Sequence, residues 1–598
     1  MHSCPGRKDP SAIITPLYLT SSATRPHLRV AVLLDGPKVP RYVAAILEDL
    51  ARCNFAEVVL AVVLEAIKAP PGRRTGLAHE LYVRVDRAVG GDTDPLALVD
   101  PGVGLEGVAR LDVAPAPGAE GGFRLGARQS SGETPWLPAE ALDELQNHDL
   151  DVILRFCTAV PHGEVLRAAR HGVWSYHFGA DEHPRGATPF FQQVADGAPT
   201  RDVLLEVLAE SPAPSLVLCR STFGSHGNLF LAHYRQVAFW ETTHFVVWKL
   251  HDLHEHGWEH LREQAVTRAS EPAQLRPPTP GDMVRFLAPR VTTAVTNRLR
   301  GEAAVANRWR MGLRRGATPF GNTPEETSLA GFHWLETPRG HLWADPFLVE
   351  RGSTCFLYFE DFDHETGYAS IKVAEVQPDC TLSPPVTALD LGYHLSFPFV
   401  FEHEGEMFML PESIANGTLT LYRARRFPED WVQEKVLFRG NAADTTFWQE
   451  GGRYYFFTTL HDRDDRGVKT LLFVTDSLTG EWRLHPWNPV SSDVRHARNA
   501  GAIFRRGERL FRPTQNGGPS YGYGLNLEEI VTLSDARYQE RPWCAVGPEA
   551  LPFPAMGVHT YNLAGDLEVI DGCALIGPPP RSTASWGRGK PPLPRAGG

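Results

Sequence analysis

What most constrains this chain is a two-strand unit in its second half, WADPFLVERGSTCFLYFE, from Trp343 to Glu360. Further versions start at Ser396 (SFPFVFEHEGEMFML), Asp444 (DTTFWQEGGRYYFF), Asn499 (NAGAIFRRGERLF) and Gly557 (GVHTYNLAGDLEVIDG). Each has a short polar or Pro/Gly-marked entry, an aromatic or aliphatic run, a Gly-containing turn and a second apolar strand. Strand units repeating at about 50 residues predict propeller blades, and five copies predict a five-bladed propeller. The first strand of each blade lines the axis, so the residues entering those strands are expected to meet in one pocket.

At 598 residues the chain is too long for one core, and at least two domains are expected. A formal net charge of -12 argues against a nucleic-acid partner, whose footprint would be basic. The 8 cysteines are scattered and lack metal-ligand spacing. They read as reduced thiols of a cytoplasmic protein, with no zinc site and no disulfide framework. No apolar run is long enough to span a bilayer. Residues 1–26 and 576–598 read as disordered tails, and the first of them lacks the apolar centre of a signal peptide.

The first half reads as an open α/β sheet over residues 27–265. LRVAVLLDG (28–36) and AEVVLAVVL (56–64) are buried strands, with apolar helical spacing between them at Val43, Ile46, Leu47 and Leu50. The turn at Gly36-Pro37 is not a GxGxxG fingerprint, so no dinucleotide is indicated. Residues 72–135 are rich in Gly and Pro and read as excursions from the core. DLDVILRFC (149–157) is a further strand, followed by a short helix at 163–170. Helices are expected at 251–268 and 281–305, and the Pro-rich QLRPPTP (274–280) marks the boundary. Residues 266–307 are read as a helical, Pro-rich linker, and 308–575 as the propeller. The alternating Arg308 to Leu313 is expected to close the ring with the last blade.

HGVWSYHFGADEHPRGATPFFQQVADG (171–197) resembles the formyltransferase family, which uses a folate formyl donor. The resemblance covers about residues 28–248. It implies a strand carrying Ser175 and His177, then Arg185-Gly186, then a helix over 188–197. It also implies formyl-tetrahydrofolate as cofactor, His177 as the catalytic group, and Ser175 and Arg185 as binding residues. Ser175 stands where the family has Asn, and Ala213 and its neighbours supply no carboxylate where the family has Asp. These losses favour a binding or scaffolding domain. Asp181, Glu182 and His183 are the nearest substitutes.

The second half resembles the arabinanase/invertase-type propeller hydrolases. It resembles more closely the N-terminal propeller of glucosamine inositolphosphorylceramide transferases. WADPF, HLSFPFVFE, LPES, ADTTF, ARNAG, RPTQ and GVHTYN carry the likeness, over about residues 309–572. Glycosidic chemistry needs a pair of carboxylates. The resemblance implies Asp345 as base or nucleophile and Asp444 as its orienting partner. The fourth-blade acid is replaced by Asn499, which leaves Glu360 or Glu412 as the acid. Arg498, Arg512 and Gln515 suit a phosphate or a sugar carboxylate. His394, His559 and Asn499 complete the candidate binding set.

The expected function is therefore glycosidic-bond hydrolysis or glycosyl transfer at the propeller axis, on a sugar or glycan. One alternative is formyl transfer to an amino sugar. The other is a non-catalytic module that binds a glycan or nucleotide sugar. Oligomeric state is left open.

Overall fold

The computed structural model describes residues 13–64, 77–113, 136–179, 189–210, 213–225, 229–268, 278–299, 306–316, 318–461 and 469–576. The first half is built on one eight-stranded sheet. Its strands are β1 (Leu28–Leu34), β2 (Ala56–Leu64), β3 (Ala109–Val113), β4 (Val152–Arg155), β5 (Val173–Phe178), β6 (Thr200–Val207), β7 (Ser215–Gly224) and β8 (Val266–Arg268). Their order across the sheet is β8-β7-β6-β5-β4-β1-β2-β3. Strands β1 to β5 run parallel, and the pairs β5/β6, β6/β7 and β7/β8 are antiparallel. Strands β1 and β2 are near-continuous apolar runs because both faces are covered, broken only by the partly exposed ion pair Arg29–Glu57 near their starts. The helices are α1 (Arg41–Arg52), α2 (Leu77–Gly90), α3 (Ala139–Asn147), α4 (Phe191–Ala195), α5 (Leu231–Trp240), α6 (Phe245–His256), α7 (Trp258–Gln264) and α8 (Pro280–Leu299).

Four readings of this half are corrected in detail. Residues 72–135 supply α2 and the edge strand β3, so they are not merely excursions. Helix α2 was obscured because it buries polar residues, with Asp86 paired to Arg235. The helix expected at 251–268 breaks at Gly257 (φ 90), and its last residues form β8. The helix at 163–170 is a 3-10 segment, Gly163–Arg167. The stretch 266–307, read as a linker, gives β8 to the sheet and packs α8 against α2 and α4.

The second half is a five-bladed propeller, as its repeats predict. Four four-stranded sheets span 341–389, 396–439, 442–484 and 504–546. The fifth blade combines the last strands of the chain with β9 (Ala306–Arg315), which pairs with Leu567–Ile576 along its whole length. The ring is thus closed by hydrogen bonds between strands about 260 residues apart in sequence, and the blades keep only short, protected edges.

The two halves pack as neighbours through a shared apolar core that runs from α6 into the first three blades. Thr222 N donates to Ser492 O (2.8 Å), and Val494 N donates to Thr222 O (3.0 Å). Glu241 after α5 and Lys469 of blade three form an ion pair at 3.0 Å, with both side chains at 1% exposure or less. The seven cysteines described are all free. Among the described residues no helix is long and apolar enough to cross a membrane.

Candidate active site

Three inner strands enter the axis through the same backbone device. Asp345, Phe397 and Asp444 have φ of 50, 45 and 43°, and each sits in a bulge. The register slips between Ala344 and Phe347, Ser396 and Phe399, and Ala443 and Thr446. A non-glycine residue at positive φ costs about 1–3 kcal/mol, and such strain gathers at functional positions. A bulge re-aims a side chain, here toward the axis.

The second strand of each blade adds the residue opposite that entry. Ala344 pairs with Glu360, Ser396 with Glu412, and Ala443 with Thr459. In blade four Gln515 N donates to Arg498 O, and in blade five Asp571 N donates to Thr560 O. Glu360, Glu412, Thr459, Gln515 and Asp571 therefore form a ring of equivalent positions behind the entry residues. Asp571 was missed in the sequence, although its blade position is that of Glu360 and Glu412.

Around the axis stand five carboxylates, Asp345, Glu360, Glu412, Asp444 and Asp571, and two cations, Arg498 and His559. Asp345 is well supplied with donors. Thr560 Oγ1 donates to its Oδ1 (2.8 Å) and Phe397 N to its Oδ2 (3.2 Å), and His559 Nε2 lies 3.9 Å away. Asp571 accepts the backbone N–H groups of His559 and Thr560 and engages His559 Nδ1. The indole of Trp309 stacks on His559, with ring centroids 3.9 Å apart. Arg498 donates from Nε to Asp444, and its Nη2 lies 3.5 Å from Glu412. Tyr521 lies against the same guanidinium, 5.1 Å from its ring centre.

Arg498 and a protonated His559 would leave the five carboxylates in excess if all were ionised, which favours retained protons. Burial pushes Glu360 well above the usual carboxylate range, and the neighbouring Asp345, Glu412, Asp571 and Asp444 push it further. Burial and then Asp444 do the same to Glu412, against the pull of Arg498. Asp345 is raised too, by burial first and then by Asp444 and Asp571, against the pull of His559 and of the Thr560 hydrogen bond. His559 is itself raised; burial lowers it, but Asp571 outweighs burial. Solvent access then sorts the set. Glu360, Glu412 and Arg498 keep 15, 11 and 16% side-chain exposure, and Asp345 keeps 10%. Asp444 (2%) and Asp571 (0%) are enclosed and act through their neighbours.

The remaining candidates fall into four groups. His394 is beside the site, with Nε2 3.5 Å from Glu360. Gln515 and Asn499 brace it. Gln515 donates to Asn499 O (3.2 Å), and Asn499 donates to Asp444 O (2.7 Å) and Phe457 O (3.0 Å). Arg512 does not reach the axial carboxylates but braces Asn499, to whose Oδ1 it donates at 3.0 Å. It is fully buried and bonds Glu540 at 2.7 and 2.9 Å, because residues 512 and 515 face opposite sides of one strand. The formyltransferase set is not at the axis. His177 Nε2 lies 3.2 Å from Arg268 Nη2, and Ser175 accepts from Arg155 (3.1 Å). Arg185, with Asp181, Glu182 and His183, lies outside the described residues. Asp345, His559 and Asp571 place ligand atoms within 4.8 Å of one another, the spacing a metal ion would need, where the sequence pointed to none.

The family model of the N-terminal region of glucosamine inositolphosphorylceramide transferase 1 matches residues 336–546. A glucosamine inositolphosphorylceramide transferase 1 of Arabidopsis thaliana is 33% identical over 255 residues, 39% of this chain and 33% of the relative. The protein of that name from Oryza sativa subsp. japonica is 35% identical over 204 residues, 33% of this chain and 27% of the relative. The chain thus spans about a third or less of the curated relatives it matches. A thermostable family-43 glycoside hydrolase aligns with 40% of this chain and 86% of its own, at 13% identity and a TM-score of 0.30. A family 117 glycoside hydrolase of Zobellia galactanivorans aligns with 47% of this chain and 96% of its own, at 11% identity and a TM-score of 0.31.

Proposed function

We propose that the propeller axis makes or breaks a glycosidic bond of an amino-sugar-bearing substrate. The observation that carries this reading is the contrast between two carboxylates that both touch solvent. Asp345 is fed by hydrogen-bond donors, whereas Glu360 faces four other carboxylates. Both carboxyl groups are raised, Glu360 the more strongly, and carboxyl groups shifted unequally can divide the acid and base roles between them. Glu360 holds the proton for the leaving oxygen. Asp345 serves as base or nucleophile, and Asp444 fixes Arg498 beside Glu412. The excess of carboxylates favours a ligand with an ammonium group. This agrees with the glucosamine in the relatives' names. Tyr521, 44% exposed, offers an apolar face for a sugar ring.

The test is turnover of glucosamine-bearing inositol phospholipids, followed by mass spectrometry, with binding measured in parallel. Asp345→Asn and Glu360→Gln are expected to lower turnover by about 10²–10⁴-fold and leave binding nearly intact. Wild-type turnover in Asp345→Asn would overturn the reading. Binding without any wild-type turnover would make the propeller a recognition module. Formyl transfer is less favoured, because Arg268 already stands against His177 Nε2.

A further inference from the structure

The outer edge of strand β7 is shared between two partners. Strand β8 pairs with its first part, at Ser215, Leu216 and Val217. Further along, a propeller segment takes the place of β8, and Thr222 bridges Asp493 in parallel. Thr222 N donates to Ser492 O (2.8 Å), and Thr222 O accepts from Val494 N (3.0 Å). The buried hydroxyls of Ser221 and Ser492 bond beside this bridge. The first sheet therefore runs on into the propeller, where it grips the segment that enters blade four.

That segment carries Arg498. Asp493 O accepts from both His496 N and Ala497 N (2.8 Å each), a tight turn that transmits the place of Asp493 to the residue before Arg498. The propeller holds the later part itself, through Asn526 on Arg495 O (2.7 Å) and Thr470 on Ala497 O (2.5 Å). The loop bearing Tyr521 hangs on the same segment. It has four glycines, Gly517, Gly518, Gly522 and Gly524. Gly517 N donates to Val494 O (2.8 Å). A Cβ at Gly518 would lie 3.3 Å from Arg495 and 3.6 Å from Thr200, at the start of β6. A loop so rich in glycine has little conformational preference of its own, so its place is set by what it is tied to. Arg498 and Tyr521, which meet beside Asp444 and Glu412, thus hang on one segment, and that segment is gripped by the first domain.

We infer that the edge of β7 at Thr222 is a positioning element of the active site, which sets the cation–aromatic pair of Arg498 and Tyr521 against the axial carboxylates. The first domain then completes the site that the propeller begins. The effect on turnover rests on the glycosidic chemistry proposed above, whereas the coupling to Arg498 does not.

The experiment is a double-mutant cycle on the full chain, read as thermal midpoints at pH 8. Thr222→Pro removes the N–H that holds Ser492, and proline is tolerated at a strand edge where that N–H points away from the sheet. Thr222→Ala keeps the backbone bonds and loses only the hydroxyl, which bonds Asp202. The shift caused by Arg498→Met is expected to be smaller in Thr222→Pro than in the wild type and unchanged in Thr222→Ala, because only coupled residues depart from additivity. If circular dichroism shows Thr222→Pro to be unfolded, Ser221→Ala/Ser492→Ala takes its place, since it removes the hydroxyl pair of the same bridge. Equal shifts in every background would overturn the inference. Turnover of Thr222→Pro at saturating substrate is expected to fall by up to about 10²-fold. His260→Ala, which cuts a bond to Pro486 O elsewhere in the interface, is expected to keep wild-type turnover. Equal losses in the two variants would make Thr222 a general prop of the interface and overturn the inference. An inactive wild type whose midpoints still show the coupling would set aside the glycosidic reading and support the inference.

Discussion

The Nδ1 nitrogen of His559 lies 2.7 Å from Oδ2 of Asp571, twelve residues further along the chain and fully buried. This pairing joins an entry residue of blade five to the strand that β9 closes against. It favours the protonated imidazole, whose Nε2 edge faces Asp345.

His559 is raised above its ordinary value, with Asp571 as the cause that overcomes burial. A raised histidine contributes stability that is complete below about pH 6.5 and is lost as pH rises through the folded value. Asp571→Asn is expected to lower stability by about 1–3 kcal/mol at low pH and to flatten that loss. Thermal midpoints of both proteins between about pH 5.5 and 9 check this. A parallel pH dependence in the variant would contradict the pairing.

Glu360 has the same sign for a different reason. Its carboxyl is raised by burial and by four carboxylate neighbours, so ionising it costs the folded state. Stability is present while Glu360 keeps its proton and falls as pH rises from about 4.5 through the folded value. Glu360→Gln mimics the protonated form. It is expected to match the wild type near pH 5 and to exceed it in alkaline buffer, read from the same midpoints.

Arg498 is the cation between Asp444 and Glu412. Arg498→Met leaves those carboxylates without it and is expected to destabilise by about 3–5 kcal/mol. Part of the loss should return on lowering the pH, because protonation removes the repulsion. A variant as stable as the wild type at pH 8 would show that Arg498 does not offset the axial charge.

The ion pair between Glu241 and Lys469 ties the two halves in a dry interface. Lys469→Met alone is expected to cost about 3–5 kcal/mol by taking the cation from the fully buried Glu241. Glu241→Gln/Lys469→Met is expected to cost less than the sum of the single changes. The shared apolar core predicts that residues 306–576 expressed alone are poorly soluble. A separately expressed propeller that is monomeric, with the full chain's melting midpoint, would refute that.

Gly557 has a packing reason to be glycine, since a Cβ there would meet the carbonyl oxygen of Gly522. That contact seats the turn holding Tyr521 against Arg498 and His559. Gly557→Ala is expected to weaken sugar binding more than it weakens the fold. Calorimetric titration and a thermal melt separate the two effects.

Much of this was legible in the residues themselves. The fivefold return of strand, Gly turn and strand follows from local rules, because a period-two apolar pattern and a turn residue suffice to write a hairpin. Asp345, Asp444, Glu360 and Glu412 could be named because a blade's position in the repeat fixes which residues begin its inner strand and which end the next. The α/β character of the first half was legible too, since strands covered on both faces read as near-continuous apolar runs.

Tertiary structure alone decided the rest. Asp571 reaches His559 through the pairing of the last blade, and β9 completes that blade from the other end of the propeller. Arg512 looked like a ligand residue until strand alternation turned it toward Glu540. The raised Glu360 depends on burial, on Asp345 of its own blade and on three carboxylates from other blades, and the buried Lys469 on a partner more than two hundred residues away. Sequence determines hydrogen-bond geometry and apolar period over a few residues. Charge balance and burial arise only when distant strands share one axis, so the site's chemistry became readable only once the ring was closed.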